Sequence, residues 1–133
     1  MTRLWIDDVR KDPDTEWEGI VEPDGDWVWV KTVKQAIAWL SEHKDEEIEL
    51  ISFDHDLGFV KDDETGEETI HEEARSWSED EWTSRPILLW MIENNVWPHK
   101  IVVHSHNPYG AEWLGGMAEQ YGPSDMPVAI VRY

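Results

Sequence analysis

The stretch IELISFDHDLG, residues 48–58, is mostly apolar up to Phe53, with Glu49 and Ser52 the exceptions, and then turns abruptly polar. Ile48, Leu50, Ile51 and Phe53 read as a buried strand. Asp54, His55 and Asp56 follow at once, and Leu57-Gly58 turns the chain away. Working outward, similar short apolar runs recur at RLWI (3–6), KIVVHS (100–105) and PVAIVRY (127–133). Helical patterns lie between them. Thr32 caps a helix over 33–43, with Gln35 three residues later and Val33, Ala36, Ile37 and Leu40 at helical spacing. Thr83 or Ser84 caps a second helix, with Pro86 in its first turn and Thr83 taken as its start. Asn107-Pro108 opens a third, which Gly122 ends. Strands alternating with helices predict an α/β fold, a three-layer sandwich around a mostly parallel sheet. The segment 16–30 carries a Pro-Asp-Gly turn signal at 23–25, so it reads as a β-hairpin or as a loop leading into a strand at 27–31.

Composition narrows the class. The chain has 133 residues, 40% hydrophobic and 31% charged, which suits a single domain over 1–133 with a real core. It has no cysteine, so neither a disulfide framework nor a thiolate metal site is expected. No apolar run is long enough to span a bilayer, and the N-terminal stretch MTRLWIDD meets acids by Asp7, so a cytoplasmic location is expected. The formal net charge of −19 opposes binding to duplex DNA. Ten tryptophans are unusual, and most are expected in the core or lining a groove, with Trp82 and Trp113 as candidates for base stacking.

In open sheets, ligands bind beyond the carboxyl ends of the strands. Here those ends carry Asp7-Asp8 with Arg10 close behind, Asp54-His55-Asp56, and His104-Ser105 followed by Asn107. Carboxylates gathered at one edge repel each other unless a cation joins them. A hard divalent ion such as Mg²⁺, or Mn²⁺, takes such oxygen ligands and leaves room for a substrate phosphate. Asn107 also starts a helix whose N-terminus can receive an anion. His104 follows Val102-Val103, so it suits a satisfied core histidine as well as a catalytic one.

An acid pair after the first strand, an Asp after a central strand and a Ser after the next resemble a response-regulator receiver domain. In receivers the acid pair holds Mg²⁺ and the Asp accepts a phosphoryl group. The chain departs from that pattern in having RKDPDTEWEGIVEPDGD (10–26) where receivers keep their first helix. It also offers only Arg132 where they keep a lysine. A narrower resemblance accounts for the departures. LWIDDVRKDP (4–13), WVWVKT (27–32), ISFDHDLG (51–58) and VVHSHNPYGA (102–111) together resemble the divergent cyclic-phosphate-processing receiver domains, in order and across nearly the whole chain. The resemblance implies a flavodoxin-like, receiver-like fold with the first crossover helix replaced by a loop or hairpin, and a role in processing a cyclic phosphate. It implies candidate roles at Asp7, Asp8, Arg10, Asp54, His55, Asp56, His104, Ser105 and Asn107.

The expected activity is a metal-dependent phosphoesterase acting on a cyclic phosphate of a nucleotide or RNA end. Asp7, Asp8 and Asp54 would hold the metal. Asp54, His55, Asp56 and His104 would carry the chemistry, with a histidine moving the proton and Asp56 orienting it. Arg10, Ser105 and Asn107 would bind substrate. Residues 59–82 read as an acidic insertion, a lid or partner-binding surface, with a short helix over 69–82 as an alternative. Two rival readings remain. One is a non-enzymatic module that binds a nucleotide or metal. The other is an acidic, phage-type decoy that uses 59–82 to occupy a basic protein partner.

Overall fold

Alternation along each strand sorts the side chains of the sheet into two sets. In the computed structural model, which describes residues 2–7, 26–57, 59–61, 68–70, 82–105 and 107–131, the strands are β1 (Thr2–Ile6), β2 (Asp26–Val30), β3 (Ile48–Phe53), β4 (Phe59–Lys61), β5 (Glu68–Ile70), β6 (Lys100–His104) and β7 (Val128–Val131). The helices are α1 (Val33–Glu42), α2 (Arg85–Asn94) and α3 (Pro108–Tyr121). Five strands form one sheet in the order β2-β1-β3-β6-β7, and every pairing in it is parallel. This is the flavodoxin-like strand order expected of a receiver-like α/β fold.

One set of side chains faces the helices. Leu4, Ile6, Ile51, Phe53, Ile101 and Val103 form a single buried cluster with Val33, Ala36 and Leu40 of α1, Ile87, Leu88 and Met91 of α2, and Ala111, Leu114 and Ala118 of α3. Each fully buried Leu, Ile or Phe there stabilises the fold by about 1.5–3 kcal/mol before chain entropy is counted. The other set is more polar. Trp5, Asp7, Ser52, Val102 and His104 are all buried, and Arg3 beside them joins Glu49 of the neighbouring strand through Nε at 2.8 Å.

Two of the three helix starts follow the sequence reading. Thr32 Oγ1 accepts from the Gln35 N–H at 3.1 Å, and Gln35 Oε1 accepts from the Lys31 N–H at 2.8 Å. Asn107 Oδ1 accepts from the Gly110 N–H at 3.0 Å. The start of α2 differs from the expectation. Ser84, not Thr83, is the N-cap residue, and its side chain makes no capping bond. Thr83 instead pairs with Asp56 in an isolated antiparallel bridge. Bonds from the Leu57 N–H to the Trp82 carbonyl and from the Ser84 N–H to the His55 carbonyl, both 2.8 Å, complete this clasp. Trp82 is therefore fastened to the domain rather than ending a free insertion.

Within 59–82, β4 and β5 pair as a small antiparallel ladder of their own, with Phe59 opposite Ile70. Thr69 and Ile70 are thus strand, not the start of a helix. The replacement of the first crossover helix concerns residues outside the described ones. Among the described residues, no helix is long and apolar enough to cross a membrane.

Candidate functional site at the carboxyl ends of the strands

Asp7 and Asp54 stand at neighbouring strand ends. Asp7 donates its N–H to the Val30 carbonyl at 3.1 Å, and Asp54 donates to the Ile6 carbonyl at 2.9 Å, so each extends the parallel ladder one step past its strand. Trp5 is in register with Ser52, which carries Asp7 and Asp54 to the same level on strands about 4.8 Å apart. One further step on β6 brings His104 to that level too.

His104 ties these strands together. Its Nε2 lies 3.1 Å from Asp7 Oδ2, and its Nδ1 lies 2.5 Å from Ser52 Oγ. Since β3 lies between β1 and β6, the bond to Asp7 spans the middle strand. The partners fix the tautomer: Nε2–H donates to the carboxylate, and Nδ1 accepts the Ser52 hydroxyl proton. Trp5 stacks flat on the imidazole, with centroids 4.1 Å apart and planes 12° apart. The Trp29 indole N–H donates to the Asp7 carbonyl at 2.6 Å. His104 and Ser52 are wholly buried and Asp7 is 2% exposed. Such a network costs a great deal if half satisfied, so its closure fixes the direction of the Asp7 carboxylate.

A second group gathers on the helix side. His55, 4% exposed, donates Nδ1–H to Asp56 Oδ1 at 2.6 Å and accepts at Nε2 from the Nε–H of Arg85 at 2.8 Å. An arginine cannot accept, so the proton of His55 must sit on Nδ1. Asn107 Nδ2 approaches the same Asp56 oxygen at 3.5 Å, and the Asn107 N–H donates to Ser105 Oγ at 3.1 Å. Gly110, in the first turn of α3, lies against the imidazole so closely that a Cβ there would fall among the ring atoms. The Arg85 guanidinium lies over the Trp113 ring, 4.7 Å from its centroid.

The residues singled out in the sequence thus fall into two neighbouring sets. Asp7 and His104 belong to the buried relay, while His55, Asp56, Ser105 and Asn107 belong to the loop group. Asp54 joins the two in the chain. Asp8 and Arg10 lie outside the described residues, as does Arg132. Sequence reasoning passed over Ser52, Arg85 and Gly110. Ser52 did carry a signal, as the lone hydroxyl in a buried strand. Arg85 carried none beyond its place before Pro86. Trp113, a candidate for base stacking, backs the Arg85 guanidinium.

The donors suit a hard divalent ion in kind. Asp7 and Asp54 offer carboxylate oxygens from adjacent strand ends, and Mg²⁺ is commonly held by one or two carboxylates with water and phosphate completing its shell. Among the described residues, no cluster of three or more His, Asp or Glu side chains is arranged to hold a metal by protein ligands alone.

Comparison with known proteins gives a family match. Residues 2–120 fit the family model described as the cyclic-phosphate processing receiver domain. No curated protein and no solved structure matches the chain.

Proposed function

The chain belongs to the cyclic-phosphate processing receiver family, and from that premise we propose that it is a metal-dependent phosphoesterase that opens the cyclic phosphate of a nucleotide or RNA end. In that reaction water adds to phosphorus, the ring P–O bond breaks, and the freed ring oxygen takes a proton. Asp7 and Asp54, with Asp8, are the residues to hold Mg²⁺ or Mn²⁺. A bound ion would neutralise the phosphate and acidify a bound water. The observation that carries this reading is the buried Ser52–His104–Asp7 relay. A carboxylate aimed by an imidazole that is itself held is the arrangement expected behind a metal ligand.

In the loop group, His55 Nδ1–H holds Asp56 Oδ1 and leaves the second carboxylate oxygen to take a proton from the attacking water. Asp56 is then the base and His55 the residue that orients it, the reverse of the division the sequence suggested. Ser105 and Asn107 line the start of α3, where backbone N–H groups favour an anion. A role for Arg10 in binding phosphate remains part of the proposal.

One observation favours a second reading. Both ring nitrogens of His55 and both of His104 are already engaged, so neither imidazole is poised to shuttle a proton. That suits a module that binds a cyclic phosphate without turnover. Incubating the protein with 2′,3′-cyclic and 3′,5′-cyclic nucleotides, with Mg²⁺ or Mn²⁺, and separating the products decides between them. Ring opening that is lost in Asp54→Asn supports the phosphoesterase. Unchanged nucleotides that nevertheless bind by calorimetry support the binding module.

A further inference from the structure

We propose that Arg85 is the phosphate-gripping cation of this site, and that its two terminal guanidinium nitrogens bind the non-bridging oxygens of a small cyclic phosphodiester. This rests on the reading above for the class of ligand, though not for the reaction. In a chain carrying 30 acids against 11 Lys and Arg, a half-buried arginine would be expected to find a carboxylate. Among the described residues Arg85 has none. Its partners there are a neutral ring nitrogen and an indole face. The His55 bond uses Nε–H and the Trp113 contact uses the flat face, so the terminal pair of nitrogens is left for a ligand. That pair presents parallel N–H bonds matched to two oxygens of a phosphate.

The fork is also held in place before any ligand arrives. Asp56 fixes the tautomer of His55, and Gly110 lets the first turn of α3 close on the ring from the other side. His55 in turn fixes Nε, and Trp113 fixes the guanidinium plane. A side chain with several rotatable bonds is thus ordered by the protein, which lowers the entropy cost of gripping an anion. Arg85 is the first residue of α2, so the positive end of a ten-residue helix adds to the attraction. Ser84, just before it, is fully buried with no hydrogen-bond partner for its Oγ, a donor not spent on capping the helix. The net charge of −19 disfavours a long polyanion, so the fork is assigned to a mononucleotide rather than to an RNA chain.

The test is binding without metal, measured by calorimetry with a 2′,3′-cyclic mononucleotide. A short RNA ending in a 2′,3′-cyclic phosphate, the other source of the same group, is the second probe. Arg85→Lys and Arg85→Met are compared with the natural chain at a temperature where circular dichroism shows all three folded. Both variants are expected to weaken mononucleotide binding about tenfold or more, Lys included, because an ammonium cannot hold the Nε contact and the fork together. The RNA is expected to bind more weakly than the mononucleotide at low salt. Omitting the metal separates the two ideas, since it removes any metal-dependent ring opening while the Arg85-dependent binding is still measured. Natural affinity in both Arg85 variants, or no binding of either probe by the natural chain, overturns the assignment. Tighter binding of the RNA would overturn the mononucleotide assignment.

Discussion

Gly110 and Ser52 show how single atoms set this site. At Gly110 there is no room for a methyl group, because the His55 ring occupies the space. Gly110→Ala must push the imidazole away from both Asp56 and Arg85, and overpacking of this kind costs about 1–3 kcal/mol. The expected result is a lower urea midpoint, with loss of the protected Nδ1–H resonance of His55 in NMR spectra. An unchanged resonance would mean that the helix shifts instead. Ser52→Ala removes the hydroxyl that bonds His104 Nδ1 in a wholly buried setting, and losing a buried hydrogen bond of this kind costs about 1–3 kcal/mol. Because Ser52 and Asp7 both act through His104, Ser52→Ala and Asp7→Asn are expected to be non-additive in a double-mutant cycle, with a coupling of about 0.5–3 kcal/mol. Additive losses would show that the relay is only two separate bonds.

At the scale of elements, the start of α3 does two jobs that can be separated. Asn107 caps the helix through Oδ1 and reaches Asp56 through Nδ2. Asn107→Ser keeps an acceptor for the Gly110 N–H, while Asn107→Asp keeps it too but sets a carboxylate against Asp56. Both should avoid most of the roughly 1 kcal/mol lost with an absent cap. Asn107→Asp is nevertheless expected to be the less stable of the two in thermal melts at neutral pH, and equal melts would remove Asp56 from the account. The caps at Thr32 and Asn107 were legible in the sequence because capping is chemistry of three or four consecutive residues. The start of α2 was misplaced by one residue because Thr83 is taken by a bridge to Asp56, twenty-seven positions earlier, which no local pattern reveals. The β4–β5 pair was missed for a related reason, since its strands lie in an acid-rich segment without clear alternation. The strand ends were legible, as apolar runs stopping at acids and histidines. Which end bonds to which was not, because the His104–Asp7 bond depends on strand order and face parity.

For the whole molecule, the parallel order β2-β1-β3-β6-β7 brings the strand ends together, while the surplus of acids works against compactness. Arg3 offsets part of that strain. It is 4% exposed, and its guanidinium spans β1 and β3 to Glu49, with Nε–Oε2 at 2.8 Å and Nη2–Oε1 at 3.4 Å. The hydrogen bond from Arg3 holds the Glu49 carboxyl below its ordinary value of 4.5. A depressed folded value means that the unfolded chain takes the proton first as pH falls. The contribution of the pair is therefore complete above 4.5 and fades below it as pH drops through the folded value. Titration of the other acids affects the natural chain and Glu49→Gln alike, so it cancels in their difference. Urea midpoints measured on both chains should differ most near neutral pH, with Glu49→Gln the less stable, and should converge at pH values below 4.5. Because Glu49 is partly open to solvent, added salt should also narrow the gap at neutral pH. A gap that stays constant through the acid range would mean that Glu49 serves Arg3 by shape and hydrogen bonding alone, with no net gain from its charge.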